Sequence, residues 1–112
     1  MGMSQKGNQT ASLKAQLIAL IEKLDRATEN FQLDPERKKQ VLAQLQGLEE
    51  KEQMSEDEAK GQRDALLSIL KVRDRWIGTP TEEAKAAAAA ANPFKAGKPQ
   101  QHLKALQERL SH

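Results

Sequence analysis

The sequence predicts an all-α protein: a small antiparallel helical bundle of three core helices, followed by an alanine-rich segment and a short C-terminal amphipathic helix. Three observations carry that expectation. Leucine and isoleucine recur at steps of three and four residues, the spacing that lines one face of a helix. Proline, serine and glycine punctuate these runs where helices start and stop. Two valines and no tyrosine leave no run with the β-branched and aromatic character of a strand.

Residues 1–11 are polar, include Gly2 and Gly7, and read as a flexible N-terminal tail. They carry no apolar run, so neither a secretory signal nor a membrane anchor is expected there. Beyond them Leu13, Leu17, Leu20, Ile21 and Leu24 share a face that Ile18 and Ala27 widen and Phe31 extends. This predicts a first helix of about five turns, capped by Thr10 or Ser12. Asp34-Pro35 then pairs an N-cap with the residue best suited to a first helical position. The second helix carries Val41, Leu42, Leu45 and Leu48 and turns acidic through Glu49, Glu50 and Glu52, against the helix dipole. With Gly47 inside it as well, it is expected to be the weakest of the three.

Ser55 with Glu58 matches a capping box and starts a third helix, expected from Glu56 to Ile77 with Gly78 as its left-handed stop. The alternative is a helix continuous through Met54 and Ser55, which would give a long helical hairpin. Within the third helix, Ala65 to Gly78 holds Leu66, Leu67, Ile69, Leu70, Val72, Ile77 and the only tryptophan. It reads as the element around which the rest is organised, with Trp76 buried between helices.

Thr79-Pro80 repeats the cap-and-proline start and predicts an alanine helix over 80–91, ended by Asn92-Pro93; residues 94–98 read as loop. A last helix opening at Pro99 has only Leu103, Leu106 and Leu110 as apolar anchors. A helix so short and sparsely anchored does not fold alone. Residues 79–112 are therefore expected to be more mobile than a 12–78 core, with the three leucines as a partner-binding face. Asn92-Pro93-Phe94 also resembles the Asn-Pro-Phe peptide that EH domains bind, a resemblance three residues long that implies an accessible loop. The competing reading has Asn-Pro ending the alanine helix and Phe94 tucked against the bundle.

The chemistry expected is that of binding. The chain has no cysteine, which removes disulfides, thiolate metal sites and thiol nucleophiles. His102 and His112 lie in the sparsely anchored tail, and the carboxylates around Glu49 to Glu58 lack calcium-loop spacing. No glycine-rich phosphate loop occurs. No enzyme activity, cofactor or membrane span is expected. These features predict a non-enzymatic protein–protein interaction module: an adaptor, assembly chaperone or regulator. The rival expectation is a nucleic-acid-binding protein that sets Arg37, Lys38, Lys39, Lys60, Arg63, Lys71 and Arg75 against RNA or DNA phosphates. The low formal net charge of +2 and the scarcity of aromatic residues weigh against it. A homodimer suits either, because a lean core gains from burying a second copy's surface. A cytoplasmic location is expected, and a nuclear one is compatible with the same features.

Overall fold

The structure, a computed structural model, describes residues 12–27 and 33–111. The expected N-terminal tail, the cap at Thr10, Phe31 and His112 lie outside them. Five α-helices follow in order: α1 (Leu13–Ala27), α2 (Pro35–Glu50), α3 (Glu56–Leu70), α4 (Glu82–Ala87) and α5 (Gly97–Leu110). Short 3-10 turns occupy Asp74–Trp76 and Pro93–Lys95. Among the described residues there is no strand, and no helix is long and apolar enough to cross a membrane.

The centre of the bundle is α1, not the Ala65–Gly78 stretch. Leu17, Ile18, Leu20, Ile21 and Leu24 are fully or almost fully enclosed, and on the other side of the helix Ala15 and Ala19 are buried too. A helix that buries residues on two opposite sides is stable only when neighbours cover both. Helices α3, α4 and α5 all pack on it, and α2 closes the bundle by packing on α3 and α5.

Caps set the helix ends and their directions. Ser12 Oγ accepts from the Ala15 N–H at 3.0 Å, and Glu56 Oε1 accepts from the Leu13 N–H at 2.8 Å, which brings the starts of α1 and α3 together. Near their other ends Lys23 donates to the Trp76 carbonyl, so the two helices run the same way. Asp34 caps α2 through the Arg37 N–H, with Pro35 first in the helix. The capping box of Ser55 and Glu58 is complete, and Lys51 reaches Glu58 at 2.7 Å. Residues 51–55 are non-helical, with Met54 buried, so α2 and α3 are separate antiparallel helices and the continuous hairpin is excluded.

Helix α3 stops seven residues before the expected Ile77. Lys71 takes a left-handed conformation (φ 61°). Its N–H returns to the Leu67 and Ser68 carbonyls, while the Val72 N–H bonds to Leu67 O at 3.1 Å. This is a Schellman closure. Lysine bears a steric cost at positive φ that glycine would not, and the two returning hydrogen bonds and the packing of Val72 on the core offset it. The apolar spacing runs on past Leu70, which is why periodicity alone overextends the helix. Gly78 is left-handed as expected (φ 78°), but it turns the chain after the 3-10 turn.

This early exit moves Trp76 from the core to its rim. The ring is half-buried, with Lys23 Nζ 4.8 Å from its centroid, and Ile77 takes the buried place. The start of α4 is likewise displaced: Thr81, not Thr79, is the N-cap, accepting from the Ala84 N–H at 3.1 Å. The helix ends at Ala87 and does not use the whole alanine run. Ala91 instead accepts from the Met54 N–H at 2.8 Å, tying the segment to the α2–α3 connection.

Asn92 and Phe94 settle the reading of their tripeptide. The Asn92 amide donates to the carbonyls of Leu48 (2.8 Å) and Lys51 (2.7 Å), and its Oδ1 accepts from the Phe94 N–H at 2.9 Å. It thereby satisfies carbonyls that the acidic end of α2 leaves open. Phe94 is fully buried. The tripeptide is closed to an outside domain in this fold, and the residues serve the core.

We expect Phe94→Ala to cost about 3–5 kcal/mol, as for other enclosed aromatics, and Trp76→Ala only about 1–2 kcal/mol for a half-covered ring. Urea denaturation of both variants checks the order, and an equal or larger loss for Trp76→Ala would contradict the assignment of the core.

Candidate functional site

The C-terminal leucines are not a free face. Leu103 and Leu106 are completely enclosed and Leu110 nearly so, in one cluster with α1, α2, α3 and Phe94. Three anchors suffice because the opposing surfaces of α1 and α2 are already apolar. The seam is also fastened by polar groups: His102 Nδ1 lies 2.9 Å from Asp25 Oδ2, and Arg109 donates to the Asp25 carbonyl at 2.6 Å. Partner binding through these leucines is therefore corrected to core packing. The core likewise continues past residue 78 to Leu110.

The histidine is half-buried instead of loose, and an aspartate orients it, a geometry shared with general-base pairs. Its other ring nitrogen, however, faces Glu22 Oε2 at 3.6 Å. Both nitrogens are turned to carboxylates, so neither is directed at a reacting group, and the arrangement works as a clasp between α1 and α5. At the far end of the bundle the acidic residues have structural employment. Glu56 caps α1, and Glu58 completes the capping box. No group of residues among those described has the disposition of a metal site.

The structure divides the seven basic candidates. Lys60 and Arg63 lie near the start of α3 and both pair with Asp64, at 3.0 and 2.9 Å. Together they hold the Asp64 carboxyl below its usual range, Lys60 with the larger effect. Arg63 also donates to Gln16 on α1. These two are withdrawn from the site. Arg37, Lys38 and Lys39 form the first turns of α2, and because α2 is antiparallel to α3 they lie at the end of the bundle where α3 finishes. Lys71 and Arg75 are at that same end. Two residues outside those seven join them: Arg26 in the last turn of α1, and Arg73 just before the 3-10 turn. Only the shared direction of α1 and α3 puts Arg26 there, and spacing along the chain carries no sign of it.

The state of these cations differs from that of four lysines elsewhere. Lys51, Lys85, Lys95 and Lys98 pair with Glu58, Glu82, Glu52 and Glu83 respectively. Among the described residues no ion pair engages Arg26, Arg37, Lys39, Lys71, Arg73 or Arg75. All but Arg37 are exposed. Asp34, Glu36 and Asp74 share this end, with Asp34 occupied as a cap, so the described residues of this end carry a net positive charge. Some of this charge complements the C-terminal dipoles of α1 and α3, a role that one residue at each helix end would fill.

A second concavity, of about 390 Å³, lies between α1, α4 and the start of α5, with Ile18, Ala84, Ala87, Pro93 and Pro99 in its wall. The Lys98–Glu83 pair (2.8 Å) sits at its edge. That contact holds the Lys98 ammonium above its ordinary pKa. Comparison with protein-family models, curated proteins and solved structures finds no match to this chain. The functional reading therefore rests on the chemistry of the surface.

Two outcomes test this description. Changing Leu103, Leu106 and Leu110 together to serine should leave the chain unfolded at room temperature, since truncating even one enclosed leucine costs about 2–5 kcal/mol; a cooperative native-like melt of the triple variant would return these residues to the surface. The second concerns pH. The hydrogen bond from Lys51, then that from the Ser55 N–H, lowers the Glu58 pKa from 4.5 to about 2. A depressed folded-state value means that its stabilisation is complete above the unfolded value and is lost as pH falls toward the folded one. Stability should decline less steeply from pH 4.5 to about 2 in Glu58→Gln than in the parent, as read by urea midpoints across that window.

Proposed function

We propose that the protein is a non-enzymatic helical binding module that holds a polyanionic partner against the basic end formed by α1, α2 and the segment after α3. This keeps the expected non-enzymatic binding role but takes up the rival expectation's anionic partner, and moves the working surface from the C-terminal leucines to Arg26, Arg37, Lys39, Lys71, Arg73 and Arg75. One observation carries the reading: these six cations, from three separate chain segments, lie at one end of the bundle with no ion pair among the described residues, whereas Lys51, Lys85 and Lys98 are each paired with a glutamate. Like charges brought together repel one another, a cost that an anionic ligand relieves. The enclosed core gives this end a rigid support, as a binding face requires.

Retention on a heparin column, a general polyanion, tests the proposal. Arg37→Glu, Lys39→Glu and Arg75→Glu combined should elute at markedly lower salt than the parent, while Lys85→Glu, Lys95→Glu and Lys98→Glu combined, of the same charge change but away from that end, should shift elution much less. Circular dichroism melts of both variants separate loss of binding from loss of fold. Equal shifts in the two would mean that net charge alone governs retention and would remove the basic end from the account.

A further inference from the structure

We infer that the polyanion is the phosphate backbone of a double-stranded nucleic acid, contacted without reading of bases. The inference rests on the basic-end reading above and specifies its partner.

The first argument comes from what accompanies the cations. A protein partner is held mainly by apolar and aromatic groups at the centre of an interface, with charges at the rim. Among the described residues, the exposed positions next to the basic residues along the chain are polar, proline or glycine, among them Asp34, Pro35, Gln40, Gly78 and Thr79. The apolar residues close by are enclosed or half-enclosed, among them Ile77 and Val72. Among the described residues the face has charge without an exposed apolar centre, which suits a ligand whose own surface is a lattice of charge.

The second argument separates double from single strands. Sequence-tolerant binding of single strands uses aromatic rings on which bases stack. Of the described aromatic residues, Phe94 is enclosed, and Lys23 lies over the half-buried ring of Trp76. No stacking platform is offered among the described residues.

The third argument is one of spacing and residue type. Packed helices lie about 8–10 Å apart, so cations drawn from α1, α2 and the segment after α3 are spread over an area, not along one line. A duplex presents one charge per roughly 1.7 Å of its axis on two strands, and can meet several of them at once. Arg26, Arg37, Arg73 and Arg75 are arginines, whose forked donors match phosphate oxygens in pairs. The helices meet this surface with their ends, so no helix face is presented for insertion into a major groove. Contacts to phosphates position a protein but carry no sequence information.

Fluorescence anisotropy with labelled 20-base-pair random-sequence DNA and RNA duplexes, the matching single strands, and poly-glutamate tests the inference across a salt series. Duplex binding should fall with salt, with a log–log slope of about −4 to −5 for DNA if five contacts form. It should be independent of sequence and tighter than binding to single strands or to poly-glutamate. The Arg37→Glu, Lys39→Glu, Arg75→Glu variant should lose more than tenfold in duplex affinity. A second variant at exposed positions only, Arg73→Gln with Arg75→Gln, should reduce the slope by about 2 while leaving the melting temperature unchanged. Poly-glutamate bound more tightly than duplex, in a manner that the same changes abolish, would overturn the nucleic-acid inference and leave the basic-end reading standing. Preference for single strands would overturn it as well. Failure to bind any of these probes or heparin would defeat both.

Discussion

Everything in this fold follows from the need to enclose α1. Its large apolar residues occupy one broad side and Ala15 and Ala19 the other, so both sides need cover, while Lys14, Gln16, Lys23 and Arg26 keep part of the helix at the surface. One neighbouring helix covers about a third of such a surface. The chain therefore returns to α1 three times, with α3, with the short α4, and finally with α5. The small side chains of α4 are suited to this task, because alanine lets a backbone approach closely with little side-chain entropy to lose. Burial of Ala84 against the bundle shows that the alanine segment acts as a lining and not as a spacer.

Polar contacts then decide where each covering element stops. Glu56 closes the start of α1, Asp34 and Ser55 begin α2 and α3, and Asn92 ends α2 from a distance. Buried polar groups are tolerated only when they are satisfied. Asn92, buried among apolar neighbours, makes three hydrogen bonds. Asp25, the other buried polar residue, is held by His102 and Arg109. Asn92 and Asp25 are thus met by local partners, while the basic residues at the end where α1 and α3 finish have no ion pair among the described residues.

Local signals in the sequence were legible where a side chain acts on its own backbone. Asp34-Pro35 and the pair Ser55 and Glu58 begin helices as such residues do anywhere, and α2 and α3 start where those signals stand. What was not legible depends on partners distant in the chain. The Lys71 turn replaces a glycine stop because Val72 finds the core, and that outcome shifted Trp76 outward. Leu103, Leu106 and Leu110 looked too few to hold a helix because their packing partners on α1 and α2 do not appear in their own stretch of sequence. For the candidate surface, the basic residues of α2 and of the segment after α3 were recognisable individually. Their separation from Lys60 and Arg63, and the arrival of Arg26, required the helix directions.

The reach of Asn92 has a bearing on the order in which the fold is completed. Its bonds to the end of α2 span 44 residues, and the clasp between Asp25 and His102 spans 77. Until these late residues have been synthesised, the carbonyls at the end of α2 must be hydrated, and α1 keeps part of its apolar surface uncovered. An emerging chain that has passed Gly78 is consequently not a smaller finished protein but an open shell. Closure by α5 makes the assembly cooperative, joining segments far apart along the chain in a single event.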